Sequence, residues 1–169
     1  KQISFIENGM GGFKISPDGT KILFIQDVKM NKVTAKEMHD DLPKTNARVY
    51  DDLMYRHWGS WEDGYRSHIF VANIVDGMVD GQGVDIMAGQ DFDAPLMPFG
   101  GMEQITFSPD SKSIVYTCKK KVGKDYAVST NSDLYQYEIA TGKTTNLTNG
   151  MMGYDNEAAF SPDGTKLAW

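Results

Sequence analysis

Phe160-Ser161-Pro162-Asp163-Gly164-Thr165-Lys166-Leu167-Ala168-Trp169 repeats a phrase met twice before. Ile15-Ser16-Pro17-Asp18-Gly19-Thr20-Lys21-Ile22-Leu23-Phe24 is one copy, and Phe107-Ser108-Pro109-Asp110-Ser111-Lys112-Ser113-Ile114-Val115-Tyr116 is the other. Each has an apolar residue, a four-residue turn and an apolar run. Ser suits the first turn position, Pro presets the second, Asp tolerates the third and Gly supplies a positive φ at the fourth. A strand that turns this way and starts again is a β-hairpin. The runs Ile22–Ile25 and Ile114–Thr117 barely alternate, which predicts strands covered on both faces.

The repeat extends beyond the hairpin. Asp133–Ile139 alternates and turns at Ala140-Thr141-Gly142-Lys143, and His68–Ile74 does the same before the glycine-bearing stretch Val75–Gly83. Lys143–Gly150, Val84–Gly89 and Lys1–Gly9 read as closing strands. The unit is therefore four antiparallel strands. Ser108 and Ser161 stand 53 residues apart; Ser16 and Ser108 stand 92 apart, with an insertion between Lys29 and Ser67. A period near fifty fits the blades of a β-propeller. A two-sheet sandwich is the other architecture left open, and no segment sustains a helical apolar period.

The expected fold is all-β, a fragment of a β-propeller. It has about two complete four-stranded antiparallel blades and parts of two flanking ones. Residues 1–12 supply the last strand of a preceding blade and a link. Residues 13–98 form a blade with a long insertion at 30–66, and 99–150 a second blade. Residues 151–169 form the first hairpin of a third. A ring needs roughly four to eight blades, so the sequence reads as a piece of a longer protein.

Composition sets further bounds. The 169 residues carry 17 basic and 23 acidic side chains, a net charge of −6, which argues against nucleic acid as a partner. Lys119-Lys120-Lys121 is the one basic run and reads as a solvated loop. Cys118 is the only cysteine, so no internal disulfide forms and it reads as a core or edge residue. No run approaches the length of a membrane span, and no signal peptide opens the chain.

The Phe-Ser-Pro-Asp-Gly-x-Lys-Leu-Ala phrase resembles the TolB-like propeller repeat and lacks the Trp-Asp ending of WD repeats. The insertion is more specific. Tyr50-Asp51-Asp52-Leu53-Met54-Tyr55-Arg56-His57-Trp58, with Trp61-Glu62-Asp63-Gly64-Tyr65-Arg66-Ser67-His68-Ile69-Phe70-Val71, resembles the N-terminal propeller of secreted bacterial peptidases. These form the dipeptidyl-peptidase and acylaminoacyl-peptidase branch of the prolyl oligopeptidase family. The resemblance implies a periplasmic or secreted parent and a further α/β-hydrolase domain with a Ser-Asp-His triad. This chain has no Gly-x-Ser-x-Gly motif, so no catalytic residue is assigned to it.

The insertion is the stretch suspected of function, because so long an interruption is often a lid or binding loop. Substrate-binding candidates are Arg56, His57, Trp58, Trp61, Glu62 and Asp63. In dipeptidyl-peptidase relatives, acidic residues of a propeller insertion hold the substrate's free amino group, a task that suits paired carboxylates. The adjacent pairs here are Asp40-Asp41, Asp51-Asp52 and Glu62-Asp63; none is the relatives' Glu-Glu. Arg56 suits a peptide carbonyl or carboxylate and Trp58 a side-chain pocket. The favoured reading instead has Tyr55, Trp58 and Trp61 dock the insertion, with Arg56 stacked on them. His39, His57 and His68 lack metal-ligand spacing, and no cofactor is expected.

The expected function is a non-catalytic propeller segment of a dipeptidyl-peptidase-like serine exopeptidase. It would gate access and help bind short peptides at a hydrolase domain outside this chain. The other reading is a TolB-like interaction propeller without enzymatic activity. Uncovered blade faces and strand edges predict self-association of the isolated fragment.

Overall fold

The computed structural model describes residues 1–169, and its elements are nearly all antiparallel strands. The first sheet holds β1 (Phe13–Ile15), β2 (Lys21–Lys29), β5 (Tyr65–Val75), β6 (Met78–Val79) and β7 (Val84–Asp85). Between β2 and β5 lie the short helix α1 (Ala35–Met38) and the hairpin β3 (Arg56–His57) and β4 (Ser60–Trp61). The second sheet is β8 (Ile105–Phe107), β9 (Ser113–Cys118), β10 (Asp133–Glu138) and β11 (Lys143–Asn146), each paired with the next. A helical turn, α2 (Gly123–Val128), interrupts the β9–β10 connection. A last hairpin joins β12 (Ala159–Phe160) to β13 (Leu167–Ala168).

All three Ser-Pro-Asp phrases make the same corner. The Ser hydroxyl donates to the Asp carboxylate at 2.6 Å in each copy. The same oxygen accepts a backbone N–H five residues on, at 2.9 Å. The fourth position has a positive φ throughout: Gly19 at 72°, Ser111 at 60° and Gly164 at 71°. Glycine accepts this freely, whereas Ser111 bears a steric cost. Its hydroxyl, however, accepts the Asp18 N–H at 3.1 Å and so links the corners of the two sheets.

Apolar side chains alternate between the faces of each strand. Leu23, Ile25, Ile69 and Val71 of the first sheet meet Ile105, Ile114, Tyr116, Tyr135 and Tyr137 of the second. Ile86, Met87 and Ala94, from the chain joining the sheets, complete this core of 14 buried residues. On the far face of the first sheet, Ile22, Phe24 and Ala72 pack with Ile6, Phe70 and Val79. On the far face of the second, Val115 and Leu134 pack with Ala158, Phe160 and Leu167. Every residue of β9 is buried, because its sheet is covered twice.

Several boundaries differ from expectation. Residues 1–12 hold no strand. Ile3 accepts the Val79 N–H at 2.8 Å, and Gln82 ties Phe5 and Glu7, so the segment lies along the first sheet's edge. The inserted segment is residues 30–64, not 30–66. Tyr65 pairs with Lys29 and Arg66 with Val28, so the hairpin ladder continues past the expected strand start at His68. The closing strand at Val84 stops at Asp85, whose Oδ1 accepts the Met87 N–H at 2.8 Å and turns the chain. The basic run is no free loop. Lys119 donates to the carbonyls of Tyr126 and Ser129 at 2.8 and 3.0 Å, and Lys120 reaches Gln90.

Candidate functional site

The insertion leaves the first sheet at the end opposite the Ser-Pro-Asp corners and closes on itself at once. The Gly64 carbonyl accepts the N–H groups of Met30 and Asn31 at 2.8 and 3.1 Å. Gly64 has φ +79°, and a Cβ there would collide with the Asn31 carbonyl. Beyond this neck, Thr34 opens α1, and the Glu37 carboxylate reaches back to the Thr34 N–H and hydroxyl at 2.9 and 2.7 Å. Those bonds and Lys29, 2.9 Å away, hold the Glu37 carboxyl down at about 2. A second strap returns through Val49, whose N–H donates to Val33 at 2.8 Å. Tyr50, Tyr55 and Trp61 then form one aromatic cluster, with centroids 6.0 to 6.3 Å apart.

The six candidate residues fall into distinct places. Arg56 lies over the Trp61 ring, 5.3 Å from its centroid, and its Nε donates to the Trp58 carbonyl at 2.8 Å. Its cation therefore staples the β3–β4 hairpin. His57 packs on Trp58, which stands edge-on to Phe99 at 5.2 Å. Trp58 is 70% exposed and has φ 48°, a position in the turn that glycine favours. Trp61 stacks with Tyr50 and Tyr55 under Arg48 and Arg56, so its aromatic contacts lie within the insertion itself. Asp63 caps the Tyr65 N–H at 3.0 Å, and its carbonyl accepts from Lys29 at 2.6 Å. Among these six, only Glu62 lines the cleft described next.

A cleft of about 390 Å³ opens between the insertion, the start of β5, the link after β7 and α2. Arg66 stands in its wall. Glu62 meets the guanidinium at 2.9 Å, Asp91 at 2.8 Å and Asp93 at 3.9 Å. Three carboxylates face one guanidinium, so the cluster carries an excess of negative charge. Asp51 and Asp52 add to the same lining. Burial pushes the Asp93 carboxyl up to about 6, against the Ser67 N–H and Arg66, which favour its charged form. Burial likewise raises the Tyr126 phenol to about 12. The lining has no serine, threonine, cysteine or histidine. It therefore offers no serine, threonine or cysteine nucleophile and no histidine base, and its five carboxylates outnumber Lys32, Arg66 and Lys121, which suits a small cationic group.

The histidines do not converge. His39 ends α1, His57 lies in the hairpin, and His68 is wholly buried against Asp85. Cys118 is buried in the core between the sheets, and its thiol is pushed up to about 12 by that burial. Reading the sequence alone missed Arg66, Asp91 and Asp93 as partners of Glu62. The available signal was the length of the Gln90–Gly101 link, which carries two aspartates where a short turn would serve.

Comparison with known proteins adds a strong likeness. The chain is 46% identical over 161 residues to dipeptidyl-peptidase 5 of Porphyromonas gingivalis, covering 95% of this chain and 23% of that protein. It is 42% identical over 169 residues to dipeptidyl-peptidase 5 of Porphyromonas endodontalis, covering all of this chain and 24% of that protein. This chain is homologous to a segment of dipeptidyl-peptidase 5. A fungal dipeptidyl-peptidase 5, from Aspergillus fumigatus, is 27% identical over 144 residues, covering 75% of this chain and 20% of the fungal protein. No family model matches the chain. The chain spans about a quarter of the length of these relatives.

Proposed function

We propose that this chain is the propeller-forming, non-catalytic segment of a dipeptidyl-peptidase-like serine exopeptidase. It gates access to a hydrolase domain outside the chain and anchors the amino terminus of short peptides. The stacking supports the propeller: a second sheet covered on both faces is an inner layer, whereas a sandwich has two layers covered once. The recurring corners support TolB-like units. The secreted or periplasmic setting rests on the resemblance of the insertion alone.

The observation that carries the reading is the acidic cleft. A peptide's ammonium offers three donors and needs compensating charge when it leaves water. Glu62, Asp91 and Asp93 surround one guanidinium and have charge to spare. Arg66 holds them apart and in place, so little ordering is left for binding. The insertion contributes Glu62 and the link Asp91 and Asp93, so the proposed gate and the amine site share their parts.

Steady-state kinetics of the full-length protein test this. Asp91→Asn and Glu62→Gln are expected to raise KM for a free-amino dipeptidyl substrate roughly tenfold each, with kcat nearly unchanged, as loss of uniform binding requires. Unaltered KM in both variants would remove the cleft from substrate binding.

A further inference from the structure

His68 is wholly buried, and each of its ring nitrogens faces an acceptor. Nε2 lies 2.9 Å from the Gln90 carbonyl oxygen and Nδ1 lies 2.8 Å from Asp85 Oδ2. A carbonyl has no hydrogen to give, so Nε2 donates. Nδ1 pairs with the Asp85 carboxylate on the other side of the ring. Asp85 is itself fixed, its other oxygen accepting the Met87 N–H at 2.8 Å.

The target of Nε2 is informative. Gln90 begins the link that carries Asp91 and Asp93. Its side-chain oxygen takes the ammonium of Lys120, just beyond β9. Next to His68, Ser67 gives its N–H to Asp93 at 2.9 Å and accepts the Ala94 N–H at 2.8 Å. Residues 67 and 68 of β5 therefore grip the link at both sides of its aspartates. The charged groups around this grip are Asp85 from β7, Asp93 from the link, Lys120 beyond β9, and Arg66 two residues earlier on β5.

We propose that His68 is the positioning residue of the acidic cleft. Its Nε2–H bond to the Gln90 carbonyl sets where Asp91 and Asp93 stand relative to Arg66 and Glu62, and through them the affinity for a peptide ammonium. This rests on the amine-anchoring reading above, and His68 itself does not touch substrate.

Two amide variants separate the two bonds. In His68→Gln the amide nitrogen reaches as far as Nε2 and donates to Gln90, while the Asp85 bond is lost. In His68→Asn the shorter side chain reaches Asp85 and abandons Gln90. Each removes one hydrogen bond, and His68→Asn also leaves the larger gap, so a purely structural histidine shows as a difference in global stability with KM unmoved. In the full-length protein, His68→Gln is expected to keep KM within about threefold, and His68→Asn to raise it about tenfold with kcat held, the mark of lost binding. The Ala94 N–H, held by the Ser67 carbonyl at 2.8 Å, should exchange faster in His68→Asn and stay slow in His68→Gln. Equal exchange and equal KM in the two variants overturn the proposal.

The two readings can fail separately. If exchange distinguishes the variants while Asp91→Asn and Glu62→Gln both leave KM unmoved, the grip stands and amine anchoring falls. If Asp91→Asn raises KM while the histidine variants behave alike, anchoring stands and the grip falls. A measurement on the unaltered protein needs no variant to fold. With 15N-labelled histidine, Nε2 of His68 must carry a slowly exchanging proton, and a bare Nε2 refutes the bond.

Discussion

One serine oxygen does two jobs in each Ser-Pro-Asp corner: it donates to the aspartate and accepts the N–H that opens the next strand. Ser16 and Ser108 are both buried, 3% and 6% exposed, and substitution of Ser108 leaves the Ser113 N–H without that acceptor. Ser108→Ala is expected to cost about 1–3 kcal/mol, the range for an unsatisfied buried donor, read as a lowered denaturant midpoint. The corner aspartates Asp18 and Asp163 are held down at about 2, chiefly by the serine hydroxyl. A depressed carboxyl stabilises the fold above its unfolded pKa, and that support is lost as pH falls towards 2. Asp93 has the opposite sign. Its carboxyl is raised to about 6, so the folded state binds a proton that the unfolded state has released. Stability therefore falls as pH rises from about 4 to 6 and stays lower above. Asp93→Asn should raise stability at pH 7.5 by at most about 3 kcal/mol, from roughly 1.4 kcal/mol per unit, and change it little at pH 4. Equal effects at both pH values would contradict the assignment.

At the scale of elements, the insertion behaves as a clasped loop. Its two ends meet at Gly64, its middle is strapped by Val49 to Val33, and its tip hairpin is fastened by Trp61 and Arg56. The neck is the sensitive point, since a side chain at Gly64 meets backbone, which cannot swing aside. Gly64→Ala should detach the insertion while leaving the sheets folded, and it should cost more than the 1 kcal/mol or so of an ordinary glycine replacement. Limited proteolysis provides the check: new cleavage between residues 30 and 64, with the strands protected. Arg56→Ala should loosen the β3–β4 hairpin in the same assay without touching the charges of the cleft, because its guanidinium is spent on Trp61 and the Trp58 carbonyl.

For the whole molecule, uncovered surface is the governing feature. Phe5, Phe13 and Val84 are exposed around the first sheet, and Met152 and Trp169 near the last hairpin. The β12–β13 ribbon has two strands and two open edges. Apolar faces and open edges of this kind favour association with other copies. The isolated 169-residue chain is expected to elute from a sizing column above its monomer mass of 18.8 kDa, increasingly so with concentration. Monomeric elution at all concentrations would count against open edges as association sites. No helix is long and apolar enough to cross a membrane.

The sequence by itself determined the corners, the four-strand unit of the second sheet and the doubly covered strands, while the first sheet has five strands. Those depend on turn chemistry and side-chain alternation, which act within a few residues and leave a local trace. It also singled out the insertion and named Glu62 among six candidates, without the cleft that the structure puts it in. The bounds at Tyr65 and Arg66 were hidden because ladder pairing with Val28 and Lys29 is a relation between distant residues. Only the tertiary structure brought Asp91 and Asp93 to Arg66, placed Gln90 against His68, and turned Asp63 away into a backbone cap. Charge clusters and hydrogen-bond grips form where separate segments converge, and no local pattern in the chain records that convergence.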